Sequence, residues 1–181
     1  FPVRGDKMTI VQIGNKILRR NSEDVPADKI KSKETRELIT RMSDALRKEP
    51  QGIGLAAPQI GVSKSVFIVS EYVFKPSAFT QKESAEDIKK RKAEEKYAVF
   101  INPKITKLSR KKGLLSEGCL SVAGSFGKVR RSTNVTVEAF DEKGVKFKRG
   151  AGGLLAQVIQ HEFDHLNGVI FVDRAEKMDK I

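Results

Sequence analysis

The chain has 181 residues, 39% of them hydrophobic, with 35 Lys/Arg against 23 Asp/Glu and a formal net charge of +12. That length suffices for one domain with its own core, and no apolar run approaches the ~20 residues of a membrane-spanning helix, so a disordered chain and a helical membrane protein are both excluded. Cys119 is the single cysteine, which rules out an internal disulfide and points to a reducing compartment.

The N-terminal FPVRGDKM has no apolar core or cleavage-like site of a secretory signal. Residues 1–7 read as a processed or non-native end, with Met8 as a native start. Residues 33–49 carry Leu38, Ile39, Met42 and Leu46 on one stripe and predict an amphipathic helix. It ends before GIGLAAPQIG (52–61), read as a Gly-rich apolar turn closed by Pro58. KSVFIVS (64–70) and AVFINPKI (98–105) predict strands. Between them, 71–97 is charged and lacks apolar periodicity after Phe79. Its KKRK (89–92) superficially resembles a nuclear signal, but seven positive against six negative residues favour a solvated surface insertion containing a short helix. NVTVEAF (134–140) and VKFKR (145–149) form a hairpin turning at Gly144. A last helix begins after Gly152-Gly153, with Leu154, Leu155, Val158 and Ile159 as its apolar stripe and Gly168 as its terminator. The expected fold is α+β: one catalytic domain over 1–181, with antiparallel strands packed around a C-terminal helix.

The charge is unevenly spread. Residues 104–149 hold twelve Lys/Arg against four Asp/Glu, so +8 of the total lies there, whereas 150–181 is slightly acidic. Lys107, Arg110, Lys111 and Lys112 are the densest group, expected near the mouth of any site built around Cys119. Such a surface suits an acidic partner, although no interleaved aromatic RNA-binding signature accompanies it.

His161 and His165 are the only histidines, and both fall in QHEFDHLNG (160–168). The H-E-x-x-H spacing on a helix puts both imidazoles on one face, one turn apart, where they can hold a divalent metal. Glu162, between them, is placed to act as general base. A third ligand is required. The extension H-E-x-x-H-x-x-G-x-x-H matches as far as Gly168 but ends on Phe171, which cannot bind a metal. Glu176, eleven residues after His165, lies in a short terminal segment and is an awkward reach. Cys119, in EGCLS (117–121), remains, and gives a Cys-His-His site with an open fourth position.

GIGLAAPQ (52–59), EGCLS (117–121) and QHEFDHL (160–166) together resemble the three signature motifs of peptide deformylases, in the same order. The likeness covers residues 8–174. It implies removal of the N-formyl group from the formylmethionine of nascent peptides, by a single divalent metal on Cys119, His161 and His165. By the same resemblance the metal is Fe(II), with Zn(II), Ni(II) and Co(II) also suited to the donor set. Glu162 is implied as proton shuttle, and the Gln59 amide and Leu120 backbone N–H as oxyanion donors. Ile53 and Gly54 would pair with the substrate backbone, Gly118 would contact substrate, and Leu115, Leu154 and Val158 would line the methionine pocket. Glu117 and Arg131 match bracing positions, although the Arg130-Arg131 doublet leaves that register open.

The chain departs from the family where Val122-Ala123 replaces the more usual Val-Pro or Ile-Pro, where Gln157 replaces an apolar residue or arginine, and in the length of 71–97. It ends sixteen residues after His165, without the long helix by which some bacterial members dock on the ribosome. Any ribosome contact is therefore expected on another surface. No membrane partner is expected, and the compartment implied is the cytoplasm, or an organelle in a eukaryote. Two alternatives are a zincin-like metallopeptidase with Glu176 as third ligand, and a basic ribosome- or RNA-binding module with a structural metal.

Overall fold

Helix α1 (Lys33–Arg47) buries Leu38, Met42, Ala45 and Leu46 along one stripe. It starts where the Ser32 side chain accepts a hydrogen bond from the Thr35 backbone N–H at 3.2 Å. The computed structural model describes residues 9–75 and 82–180, so the expected processed end 1–7, Met8 and Phe79 lie outside the described residues.

Two antiparallel sheets carry the strands. The larger is built from β1 (Gly54–Ala56), β2 (Val66–Ser70), β3 (Tyr97–Leu108), β6 (Asn134–Phe140) and β7 (Lys146–Gly152), in the order β1-β2-β3-β6-β7. The smaller joins β4 (Lys112–Cys119), β5 (Val122–Ser132) and β8 (Ala175–Lys180), in the order β4-β5-β8. Helix α2 (Ala85–Glu94) lies between β2 and β3 in sequence, and α3 (Gly153–Leu166) follows β7.

The β2 run VFIVS is buried at every position because both faces of its sheet are covered. Val66 and Ile68 join the α1 core with Leu38, Met42 and Leu46. Phe67 and Val69, one residue out of phase, join the α3 core with Val158, Ile159 and Leu166. At the C-terminal end of α3, Gly168 has φ +69°, and a side chain there would meet the Arg19 carbonyl oxygen at 2.6 Å. No helix of the described residues is long and apolar enough to cross a membrane.

Several local expectations need correction. Residues 52–61 are not simply a turn: Gly54–Ala56 pairs with Phe67–Val69, and a 3-10 turn follows over Ala57–Ile60. The terminal segment is a strand, with Ala175–Lys180 paired to β5. The basic cluster is exposed, but Lys112 and Cys119 stand at opposite ends of β4. Seven residue-to-residue steps of strand put them about 23 Å apart, so the cluster is not at the mouth of a site at Cys119. Within 71–97, most of α2 is exposed, yet Lys92 and Glu95 are buried.

Candidate metal centre and active site

The end of β4 brings Cys119 to the face of α3 that carries His161 and His165. Their ligand atoms all lie within 4.8 Å of one another. Cys119 Sγ is 3.3 Å from His165 Nε2, and the two imidazole rings meet edge-on at 5.0 Å between centroids. One thiol and two imidazoles converging from two elements suit a tetrahedral metal with an open position.

The imidazoles differ in their surroundings. Glu117 Oε2 lies 2.9 Å from His161 Nδ1, which fixes the ring and leaves Nε2 for the metal. Burial opposes protonation of His161, but its contacts with Cys119 and Glu117 outweigh burial and raise it well above the ordinary histidine value. Burial, reinforced by the charge of His161, holds His165 well below that value. A metal at this cluster takes each ring in its neutral form, so it competes with protons for the donors.

Behind this pair is a buried polar network. Arg131 Nε and Nη2 donate to the two oxygens of Glu117 at 2.7 and 3.0 Å, and Nη1 donates to Asp164 Oδ2 at 2.6 Å. Burial works against the Glu117 charge, yet Arg131 and His161 prevail and bring its carboxyl down to about 2. The doublet is resolved by strand alternation. Arg131 points inward, whereas Arg130 is exposed and pairs with Glu176 at 2.7 Å. Glu176 therefore faces away on β8 and does not join the Cys-His-His cluster. Asp164 went unnoticed in sequence, although its position three residues after His161 on α3 was a usable signal.

Glu162 is buried, and its Oε2 has no hydrogen-bond partner among the described residues. Burial pushes its carboxyl up to about 7; the nearby His161 opposes this and the Glu117 charge adds to it. Gly54 makes the space: a Cβ there would lie 2.5 Å from Glu162 Oε1. A buried carboxylate with an unpaired oxygen, beside three soft and borderline donors, fits a site that takes a metal and a water.

Gln59 is almost fully buried, and its orientation is fixed from both ends. Its Oε1 accepts from the Ala56 N–H at 2.9 Å, and its Nε2 donates to Ser121 Oγ at 3.1 Å and Cys119 Sγ at 3.5 Å. The amide N–H therefore faces the cluster. Gln59, Cys119, His161 and Glu162 border a cavity of about 380 Å³. Of the residues singled out from the sequence, Ile53, Gly54, Glu117, Gly118, Leu120, Leu154 and Val158 line it. Leu115 does not: it sits four residues before Cys119, about 13 Å along β4, opposite Val129. Gln157 lines the cavity and donates to the Ser116 carbonyl at 2.9 Å.

Known proteins similar to this chain in sequence and in fold are peptide deformylases. Peptide deformylase 1A, chloroplastic, of Solanum lycopersicum is 36% identical over 169 residues, spanning 91% of this chain and 58% of that protein. The peptide deformylase of Prochlorococcus marinus (strain MIT 9312) is 38% identical over 175 residues, spanning 96% of this chain and 76% of its own. The Met-Ala-Ser-bound crystal structure of a class I type b peptide deformylase from Acinetobacter baumannii superposes with a TM-score of 0.76 at 32% identity, covering 92% of this chain and 97% of that one. The sequence model of polypeptide deformylases matches residues 7–181. With that match over nearly the whole chain, and relatives above 30% identity over most of both lengths, the chain belongs to the peptide deformylase family of metal-dependent hydrolases, whose reaction is removal of the formyl group from N-terminal formylmethionine.

Proposed function

We propose that this chain deformylates N-formylmethionyl peptides at one divalent metal held by Cys119, His161 and His165. The observation that carries this is the unpaired, buried Glu162 Oε2 beside the Cys-His-His cluster. A bound metal would polarise the formyl carbonyl and make water nucleophilic near neutral pH. Glu162 accepts the proton of the attacking water and returns it to the departing amine. The Gln59 Nε2 and the Leu120 N–H are the donors proposed for the developing oxyanion; the first is pre-aligned by its bond from Ala56. Leu154 and Val158 offer an apolar wall to the methionine side chain, and the edge of β1 offers main-chain groups to the peptide.

Fe(II) is the proposed native metal, on the family resemblance and a donor set that also accepts Zn(II), Ni(II) and Co(II). Nascent formylated peptides are the proposed substrates, in a cytoplasm or organelle where such chains are made, with the ribosome as a partner through the basic cluster. The test is turnover of a formyl-methionyl tripeptide against an unformylated internal peptide. Release of formate from the first alone supports the reading. Cleavage of the second would favour a metallopeptidase, and inactivity of the metal-loaded protein on both would leave only a binding module.

A further inference from the structure

The KKRK run ends on a residue that does not behave as a solvated charge. Lys89 and Lys90 are exposed, but Lys92 is only 4% exposed. A buried ammonium is costly unless its three protons find acceptors. Here they do: Lys92 Nζ reaches the Gly52 carbonyl at 2.5 Å, Glu95 Oε2 at 2.9 Å and the Leu46 carbonyl at 3.4 Å. Glu95 is buried too. Its other contacts come from the Ser70 hydroxyl at 2.5 Å, the Tyr97 hydroxyl at 2.8 Å and Arg91 Nη1 at 3.2 Å.

What these groups hold is the cavity wall. Gly52, Ile53 and Gly54 all line the cavity. Lys92 takes the Gly52 carbonyl, and the Ser70 N–H takes the next one, Ile53, at 2.8 Å. Both clamps converge on Glu95. Gly52 is also wedged: a Cβ would lie 2.6 Å from Leu46 Cδ1 and 3.2 Å from Leu120 Cδ1. The wall is thus set between α1, the loop after Cys119 and an ammonium supplied from α2. We propose that Lys92 is a positioning residue for this wall, fixing through the Gly52 carbonyl the main chain that receives the peptide.

This inference rests on the deformylase reading and adds to it a role for segment 71–97. A pre-set edge loses little conformational freedom when a peptide adds to it, whereas a loosened edge must be ordered by the substrate. Lys92 touches neither the metal donors nor Glu162, so its loss falls on binding more than on chemistry.

The test uses the metal-loaded full chain and the variant Lys92→Met. Expected is a KM for a formyl-methionyl tripeptide raised about tenfold, with kcat within about threefold and metal content unchanged. Amide exchange over residues 52–56 should quicken, which a merely structural anchor of α2 would not produce selectively. If Lys92→Met does not fold, Glu95→Gln, which loosens both clamps but keeps the cation, should give the same KM-selective loss. Unchanged KM and unchanged exchange in a folded variant, or kcat and metal content falling together, would overturn the positioning role. A parent protein inactive on the formyl peptide would instead overturn the deformylase reading itself.

Discussion

Glu117 Oε2 is 2.9 Å from His161 Nδ1, and the same carboxylate takes two hydrogen bonds from Arg131. One residue therefore orients a metal donor on α3 and ties it to β5, which keeps the cluster assembled across three elements. Such a partner also makes the imidazole a stronger donor.

Glu117→Gln keeps the shape but removes the charge. Metal affinity should fall about 10–100-fold, read by chelator competition. The pH dependence follows from the sign of the shift. The Glu117 carboxyl stands at about 2 in the fold, below its ordinary 4.5, so its stabilisation of the metal-free protein is complete above about 4.5 and disappears as pH falls towards 2. Acid unfolding of the Gln variant should be less steep over that window. Matching chelator competition and matching acid curves would remove Glu117 from both roles.

Gly54→Ala places a methyl where Glu162 Oε1 already lies, with only 2.5 Å between them. The carboxylate must shift, and a small displacement of a catalytic group can cost about 10²-fold. A kcat reduced by about that factor, with normal metal content, is expected. A kcat equal to that of the parent would mean that Glu162 does its work from another position.

How much of this was legible in sequence depended on whether the signal was local. The α3 stripe Leu154, Leu155, Val158 and Ile159 runs into both histidines, so helix and donors could be read together. Cys119 was reached by elimination, and the structure brings it to the cluster across 42 residues of chain, from Cys119 to His161. Strands β4 and β5 carry little local signal over most of their length, because KGLLSEGC and VAGSFGKVRRS are rich in glycine and polar residues and are held by pairing with each other. The three-residue β1 looked like a turn for the same reason: its strand character comes from β2. Lys92 was invisible, since nothing in KKRK distinguishes the cations that turn inward from those that stay in solvent.

Glu162→Gln removes the proton acceptor and leaves the three donors in place. Metal content should match that of the parent, while turnover falls by at least about 10²–10⁴-fold. Normal metal binding with near-parental turnover would show that another group moves the proton.

Cys119→Ser replaces a thiolate by a weak hydroxyl donor 3.3 Å from His165 Nε2. Metal retained after dialysis should collapse. Full occupancy in the Ser variant would take Cys119 out of the site. With Fe(II) in the parent, activity should decay in air and persist under anaerobic conditions, because both iron and thiolate are oxidisable.

The exposed group Lys107, Arg110, Lys111 and Lys112 lies at the far end of β4, about 23 Å from Cys119 along the strand. At that distance, more than two Debye lengths at physiological salt, it exerts little field on a small peptide in the cavity. A polyanionic surface is different, because each phosphate it neutralises lowers log K by about 0.7–0.9 per log unit of salt. Reversing the four charges should therefore leave kcat/KM for a short formyl peptide within about twofold of the parent. Co-sedimentation with ribosomes at low salt should fall sharply, and the salt dependence of what remains should flatten. Equal co-sedimentation of parent and variant would make the cluster a solvated face, and a large loss of peptide turnover would mean that the charge acts on the site through the strand.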